Sequence, residues 1–203
     1  MPTTYPTQSI ESPAVADWIP APLFRFSLER YEKMVELGAL TEQDRVQLLN
    51  GFLVTKMAQG DPHCVADDLC REALTRVLPL GWFVRSNKPV RLPPNSKPEP
   101  DHAVVRGEIR DYIRRSPGPG DIALVVEVAS SSLAEDRLQA DLFAVAGIPA
   151  YWIVNLGDAQ IEAHSDPTGA GYATRVDFVA GQSVPVIIDG VQVGVIAVAD
   201  VLP

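Results

Sequence analysis

The chain of 203 residues holds two cysteines and three histidines, and it has no long apolar run and no internal repeat. Cys64 and Cys70 lie six residues apart on one expected helix. That spacing does not favour a disulfide, and neither a disulfide framework nor a zinc pattern can be assembled from it. A reducing compartment, and so the cytoplasm, is the expected location. No basic region followed by an apolar stretch occurs in 1–20, so no signal peptide is expected. The apolar stretches Ile122–Val128 and Tyr151–Leu156 are too short to cross a bilayer.

Positive charge is also scarce, with 17 Lys and Arg against 26 Asp and Glu and a net charge of −9. This argues against a protein that coats nucleic acid non-specifically, because such affinity comes largely from neutralising phosphates. The distribution is uneven. Between Arg71 and Arg115 ten basic residues face five acids, so that segment alone is +5. It reads either as an ordinary solvated surface or as a local basic face beside acidic residues.

What is present is the composition of one globular domain: 46% apolar and 21% charged residues, with 18 prolines and 14 glycines scattered as turn signals. Residues 1–24, rich in Pro, Thr, Ser and Ala, are expected to form a flexible N-terminal arm ahead of a single domain over 25–203. Ser27 can cap a helix through Gly38, and Thr41 is expected to start a second, short helix through Leu49. Asn50-Gly51 is a turn leading into a strand at Phe52–Met57. Asp61-Pro62 opens a helix to about Leu78, its face set by Val65, Leu69, Ala73 and Val77. Strands are expected at Trp82–Arg85, Val90–Leu92 and His102–Val105, followed by an irregular basic crossover at Gly107–Gly120.

Ile122–Val128 is the clearest buried strand, a continuous β-branched run suited to a sheet covered on both faces. A helix from Ser131 to Ala146, with Leu133, Leu138, Leu142 and Phe143 as its apolar contacts, then leads to a strand at Tyr151–Leu156. Strand, helix and strand at this spacing make a βαβ unit and therefore a parallel pair. Short strands follow at Gln160–His164, Tyr172–Phe178, Val184–Ile188, Val191–Val193 and Ile196–Leu202. The fold class is α/β (α+β), with a mixed central sheet flanked by helices.

Asp101 begins one expected strand and Glu127 lies near the end of another. Two carboxylates meeting at the rim of a sheet can hold a divalent cation through hard oxygen ligands. Such an ion can polarise a phosphoryl oxygen and acidify a water molecule for phosphodiester hydrolysis. Each acid also has a plainer reading. Asp101 can cap a loop, and Glu127 can end a core strand in a solvated position. Trp152 reads as a core or dimer contact.

Three segments in order, Pro98-Glu-Pro-Asp101-His-Ala-Val-Val105, Ala123-Leu-Val-Val-Glu127-Val-Ala-Ser130 and Gly147-Ile-Pro-Ala-Tyr-Trp152-Ile-Val154, resemble the Uma-two family of the PD-(D/E)XK nuclease superfamily. The earlier stretch Asp44-Arg-Val-Gln-Leu-Leu-Asn-Gly51 through His63 is similar to that family's N-terminal part. The resemblance covers roughly residues 26 to 165. It implies a restriction-endonuclease-like core and a DNA endonuclease dependent on Mg²⁺ or Mn²⁺. Asp101 and Glu127 would be the metal ligands, with the Val128 carbonyl as a third. It further implies a homodimer, and it places His63 at the rim of the cleft, where a structural or capping role is the alternative.

The departures from the family pattern bear on catalysis. Ala129 stands where the superfamily usually has its lysine. The family tends to carry that lysine on the next helix, where this chain has Gln139 or Ala140. Gln47 stands where the family often has glutamate. Gln139 can hydrogen-bond but brings no charge, and Arg137, the nearest basic residue, has too high a pKa for proton transfer. Two functions therefore stand. One is an active endonuclease working through Asp101, Glu127 and Gln139, with Gln47, His63 and Arg137 accessory. The other is a catalytically impaired relative that binds nucleic acid or a protein partner, with Lys88, Arg106, Arg110, Arg114 and Arg115 as the nucleic-acid contacts.

Overall fold

The computed structural model describes residues 22–56 and 58–203, so most of the expected arm lies outside the described residues. Helix α1, Leu28–Glu36, starts where expected: the Ser27 hydroxyl accepts a hydrogen bond from the Arg30 N–H at 3.2 Å. The expected second helix does not form. Only a 3₁₀ turn, Glu42–Asp44, precedes strand β1, Val46–Leu49, which pairs antiparallel with β2, Phe52–Thr55. The reason lies in the linking dipeptide. Asn50 and Gly51 both have positive φ, 48° and 84°, the backbone of a tight two-residue hairpin turn. Once that turn forms, the residues before it must run extended.

Helix α2, Asp61–Val77, follows its proline-first start, and its buried face matches the expected one only in part. Ala73 is buried and Val77 packs against the core as expected, but Val65 is 48% exposed and Ala66, Cys70 and Leu74 are inside instead. The next elements are β3, Trp82–Ser86, β4, His102–Arg106, and β5, Ile122–Ala129, with an irregular crossover over Gly107–Gly120. Val90–Leu92 is extended loop rather than strand, touching Ser96 through one isolated bridge at Leu92. Helix α3, Leu133–Val145, leads into β6, Ala150–Asn155, which lies parallel to β5 as the βαβ reading requires. Of the apolar contacts expected on α3, Phe143 is fully buried and Leu138 is 75% exposed. Strands β7, Gln160–Pro167, β8, Tyr172–Val179, β9, Ser183–Ile188, and β10, Val191–Ala197, complete the chain. After Ala197 a 3₁₀ turn, Val198–Asp200, replaces the expected final strand.

Six strands form one mixed sheet in the order β3-β4-β5-β6-β7-β8, antiparallel except for β5 and β6. Alternate side chains of β5 enter different cores. Leu124, Val126 and Val128 join Ala66, Leu74 and Trp152 on the face covered by α2 and the β9-β10 hairpin. Val125 and Ala129 join Ala140, Phe143 and Ile153 on the face covered by α3. Trp152 is therefore a core residue. Gly194 lets the hairpin approach α2, since a Cβ there would lie 2.7 Å from the Val77 Cβ. The architecture is α/β with a mixed central sheet flanked by helices, consistent with a restriction-endonuclease-like core.

Candidate metal centre

Register brings the two acids together. Strand β4 runs antiparallel to β5 with His102 opposite Val126, so the residue before His102 falls beside the residue after Val126. Those residues are Asp101 and Glu127. Each side chain is held by the other strand's backbone: the Asp101 N–H donates to Glu127 Oε2 at 3.0 Å, and the Val128 N–H donates to Asp101 Oδ2 at 2.8 Å. Both acids are more than nine-tenths buried, and both line a cleft of about 760 Å³. The cleft is walled by the β1-β2 hairpin, the start of α2 and the N-terminal half of α3.

Helix α2 adds two candidate ligand atoms. His63 and Asp67 are four residues apart and so lie on one helical face. One donor atom from each, together with one from Asp101, fall within 4.8 Å of one another. Among the described residues, His63 Nε2 and Asp67 Oδ1 are both buried without a hydrogen-bond partner. His63 Nε2 is 3.5 Å from Asp101 Oδ2, too far for a good bond. Buried polar atoms are rarely left unpaired, because each costs about 1–3 kcal/mol. One imidazole nitrogen and several carboxylate oxygens, two of the donor atoms orphaned, form a set that a divalent cation fits.

A buried histidine steadies Asp67 from behind. Burial pushes the pKa of His102 down to about 4, so its ring is neutral. The Ser86 hydroxyl lies 2.9 Å from Nδ1, and Nε2 lies 3.0 Å from the Asp67 carbonyl. Nε2 is also 3.2 Å from Asp67 Oδ1, but its one proton is aimed at the carbonyl.

The acids lining the cleft, and Asp67 beside it, disfavour one another's charge. Burial and then the charge of Asp101 raise Asp67 to about 6. Burial, which outweighs the Ser132 hydroxyl bond and is reinforced by Asp101, raises Asp136 to about 6. Glu127 is raised by burial, then by Asp101 and Asp136. His63 moves upward because its interaction with Asp101 outweighs its burial. A site strained by like charge in this way is stabilised by a bound cation.

Six of the residues singled out from sequence line this cleft: Gln47, His63, Asp101, Glu127, Val128 and Gln139. Gln47 Oε1 accepts from the Glu99 N–H at 2.9 Å, which fixes the segment leading to Asp101. Arg137 is turned elsewhere, donating to buried Glu162 at 2.6 and 3.0 Å. Lys88, Arg106, Arg110, Arg114 and Arg115 are exposed and none lines the cleft. Arg106 pairs with Asp189 and Arg115 with Asp121, whereas Arg110 and Arg114 form no ion pair among the described residues. Asp67, Asp136, Lys56 and Gln59, which donates to Asp101 Oδ1 at 3.1 Å, escaped the sequence reading. The four-residue step from His63 to Asp67 on a helix was the signal that could have revealed Asp67.

A solved structure described as a putative nuclease belonging to DUF820, from Anabaena variabilis ATCC 29413, is similar to this chain with a TM-score of 0.64 at 12% identity. The likeness covers 87% of this chain and 97% of that one, and at this identity it shows the fold alone. No curated protein matches. The family model described as "Putative restriction endonuclease" matches residues 28–199, which is most of the sequence, and the chain belongs to that family, Uma2.

Proposed function

We propose that the protein is a divalent-metal-dependent DNA endonuclease that hydrolyses phosphodiester bonds at the cleft between β5, α2 and the β1-β2 hairpin. The observation that carries the reading is the pair of orphaned buried donors, His63 Nε2 and Asp67 Oδ1, converging on Asp101 beside buried Glu127. Asp101, His63 and Asp67 would hold the ion, with Glu127 and the Val128 carbonyl completing the set. When bound, Mg²⁺ or Mn²⁺ supplies Lewis-acid polarisation of a phosphoryl oxygen and lowers the pKa of water in its shell. The imidazole in the donor set favours Mn²⁺ over Mg²⁺, which prefers oxygen and retains its own water.

The chain's own groups orient the reactants. Asp101 is fixed by the Val128 N–H and Gln59. Glu127 is fixed by the Asp101 N–H and would orient the attacking water. Gln139, which lines the cleft from α3, would hydrogen-bond a phosphate oxygen or that water. Arg110 and Arg114, with Lys88, Arg106 and Arg115, would contact the duplex backbone and set orientation rather than sequence. A homodimer would give a duplex two cutting sites.

Ala129, buried in the α3-side core where the superfamily usually has lysine, favours a second reading in which the same cleft binds nucleic acid without turnover. Supercoiled plasmid incubated with the protein in Mn²⁺, Mg²⁺ or EDTA separates the two. The endonuclease reading expects nicked and linear products with Mn²⁺, none with EDTA, and none from Asp101→Asn. Retention of DNA without cleavage in any metal supports the second reading.

A further inference from the structure

We infer that Lys56 supplies the positive charge that phosphodiester hydrolysis needs in this cleft, replacing the lysine missing two residues after Glu127. The inference rests on the endonuclease reading and names a residue that reading does not use. Arg45 and Lys56 are the lysine or arginine side chains lining the cleft. Arg45 is exposed at its mouth, while Lys56 is about three-quarters buried at the end of β2. The ammonium of Lys56 pairs with the carboxylate of Glu99, two residues before Asp101 on the segment fixed by Gln47. It is thereby anchored to the wall that carries Asp101. Its charge also reaches Glu127, where it opposes the upward push of burial.

Two other groups could have taken this role. Arg137 is committed to Glu162, whose side chain is fully buried, and is absent from the cleft lining. Gln139 lines the cleft but is uncharged. Lys56 is the better fit on chemistry as well. Its ammonium is a compact point charge on a flexible stem, suited to following a phosphate as charge builds on its oxygens. The pair with Glu99 keeps about a quarter of its surface in water, and the flexible stem lets the ammonium turn from Glu99 to a phosphate oxygen as substrate arrives. In the reaction a bond forms from water oxygen to phosphorus as the ester P–O bond breaks. The water's proton is released to solvent, the leaving oxygen takes one from solvent, and Lys56 stays protonated throughout.

The test compares the wild-type chain with Lys56→Met, Lys56→Arg and the double variant Lys56→Met with Glu99→Gln. Plasmid cleavage in Mn²⁺, Mn²⁺ affinity by calorimetry and melting temperature are measured for each. Losing one charged contact to the developing oxyanion slows cleavage by about 10²–10³-fold. The inference expects that loss in Lys56→Met with Mn²⁺ affinity retained. It expects partial recovery in Lys56→Arg and the same loss in the double variant, where Glu99 no longer lacks a partner. If Lys56→Met cleaves at the wild-type rate, Lys56 is not the missing cation and the endonuclease reading stands. If Mn²⁺ affinity falls with the rate in both methionine variants, Lys56 only supports the metal site and the inference is overturned. If the wild type binds Mn²⁺ yet cuts nothing, both fall.

Discussion

Replacing Asp101 with asparagine should make the metal-free protein more stable while abolishing its response to metal. A donor atom of Asp101 lies within 4.8 Å of one from Asp67. Two carboxylate charges at that separation repel by about 1 kcal/mol in water and by about 3.5 kcal/mol at an effective dielectric constant of 20. Asparagine removes the repulsion yet keeps an oxygen to accept the 2.8 Å bond from the Val128 N–H. Alanine loses that acceptor too, leaving the buried Val128 N–H unsatisfied at a cost of about 1–3 kcal/mol. The attraction between Asp101 and a protonated His63 works the other way. It disappears at high pH, so melting at pH 9 in EDTA isolates the repulsion. The order expected there is Asp101→Asn above wild type, with Asp101→Ala below Asp101→Asn. At about 2–4 °C per kcal/mol for a domain of this size, the gain is several degrees. Mn²⁺ should then raise the wild type and leave Asp101→Asn unmoved. An Asp101→Asn protein that melts at or below wild type at pH 9 in EDTA would refute the reasoning.

Three further outcomes follow from the same geometry. Asp67 and Asp136 both have pKa values raised from 3.8 to about 6 in the folded chain, so folding favours their protonated forms. Their contribution to metal-free stability is therefore full below about pH 4 and lost as pH rises through about 6, as urea denaturation across that range will show. With Mn²⁺ present the trend reverses, because protons compete for the same oxygens. Arg137→Ala strips one partner from fully buried Glu162, which keeps Arg175 and Asn155. Stability should fall by about 1–3 kcal/mol, with calorimetric Mn²⁺ affinity unchanged; a drop in affinity would put Arg137 in the site. Reversing Arg110 and Arg114 together should weaken duplex binding equally across sequences and flatten its salt dependence, measured by fluorescence anisotropy, while unchanged binding removes them from the interface.

Much of the fold was legible because its strongest signals are local. The capping serine at 27, the Asp-Pro at the start of α2 and the apolar run of β5 each act within a few residues. The failures came where a short segment answers to a distant one. Val46–Leu49 suits a helix or a strand, and the positive-φ turn at Asn50-Gly51 decides the matter. On α2 the choice between the faces of Val65 and Ala66 depends on the sheet and hairpin it meets. Asp101 and Glu127 could be seen as acids at strand ends, but their pairing depends on register after the irregular stretch at 87–101. Asp67 was hidden because a lone aspartate on an expected helix looks like solvated surface. Only the packing of α2 on the sheet turns it inward to face Asp101. Lys56 gave no signal in sequence, since the β1-β2 hairpin carries it to the cleft from 45 residues before Asp101.

Hydrolysis at this cleft, as proposed, requires a cation held between α2 and the β4-β5 strand pair. A crystal grown with Mn²⁺ and examined for anomalous scattering tests this most directly. An ion is expected roughly 2.0–2.6 Å from an Asp101 oxygen, with His63 Nε2 and Asp67 among its ligands. A well-ordered cleft with no anomalous peak at saturating Mn²⁺, or a peak that touches none of these side chains, would contradict it.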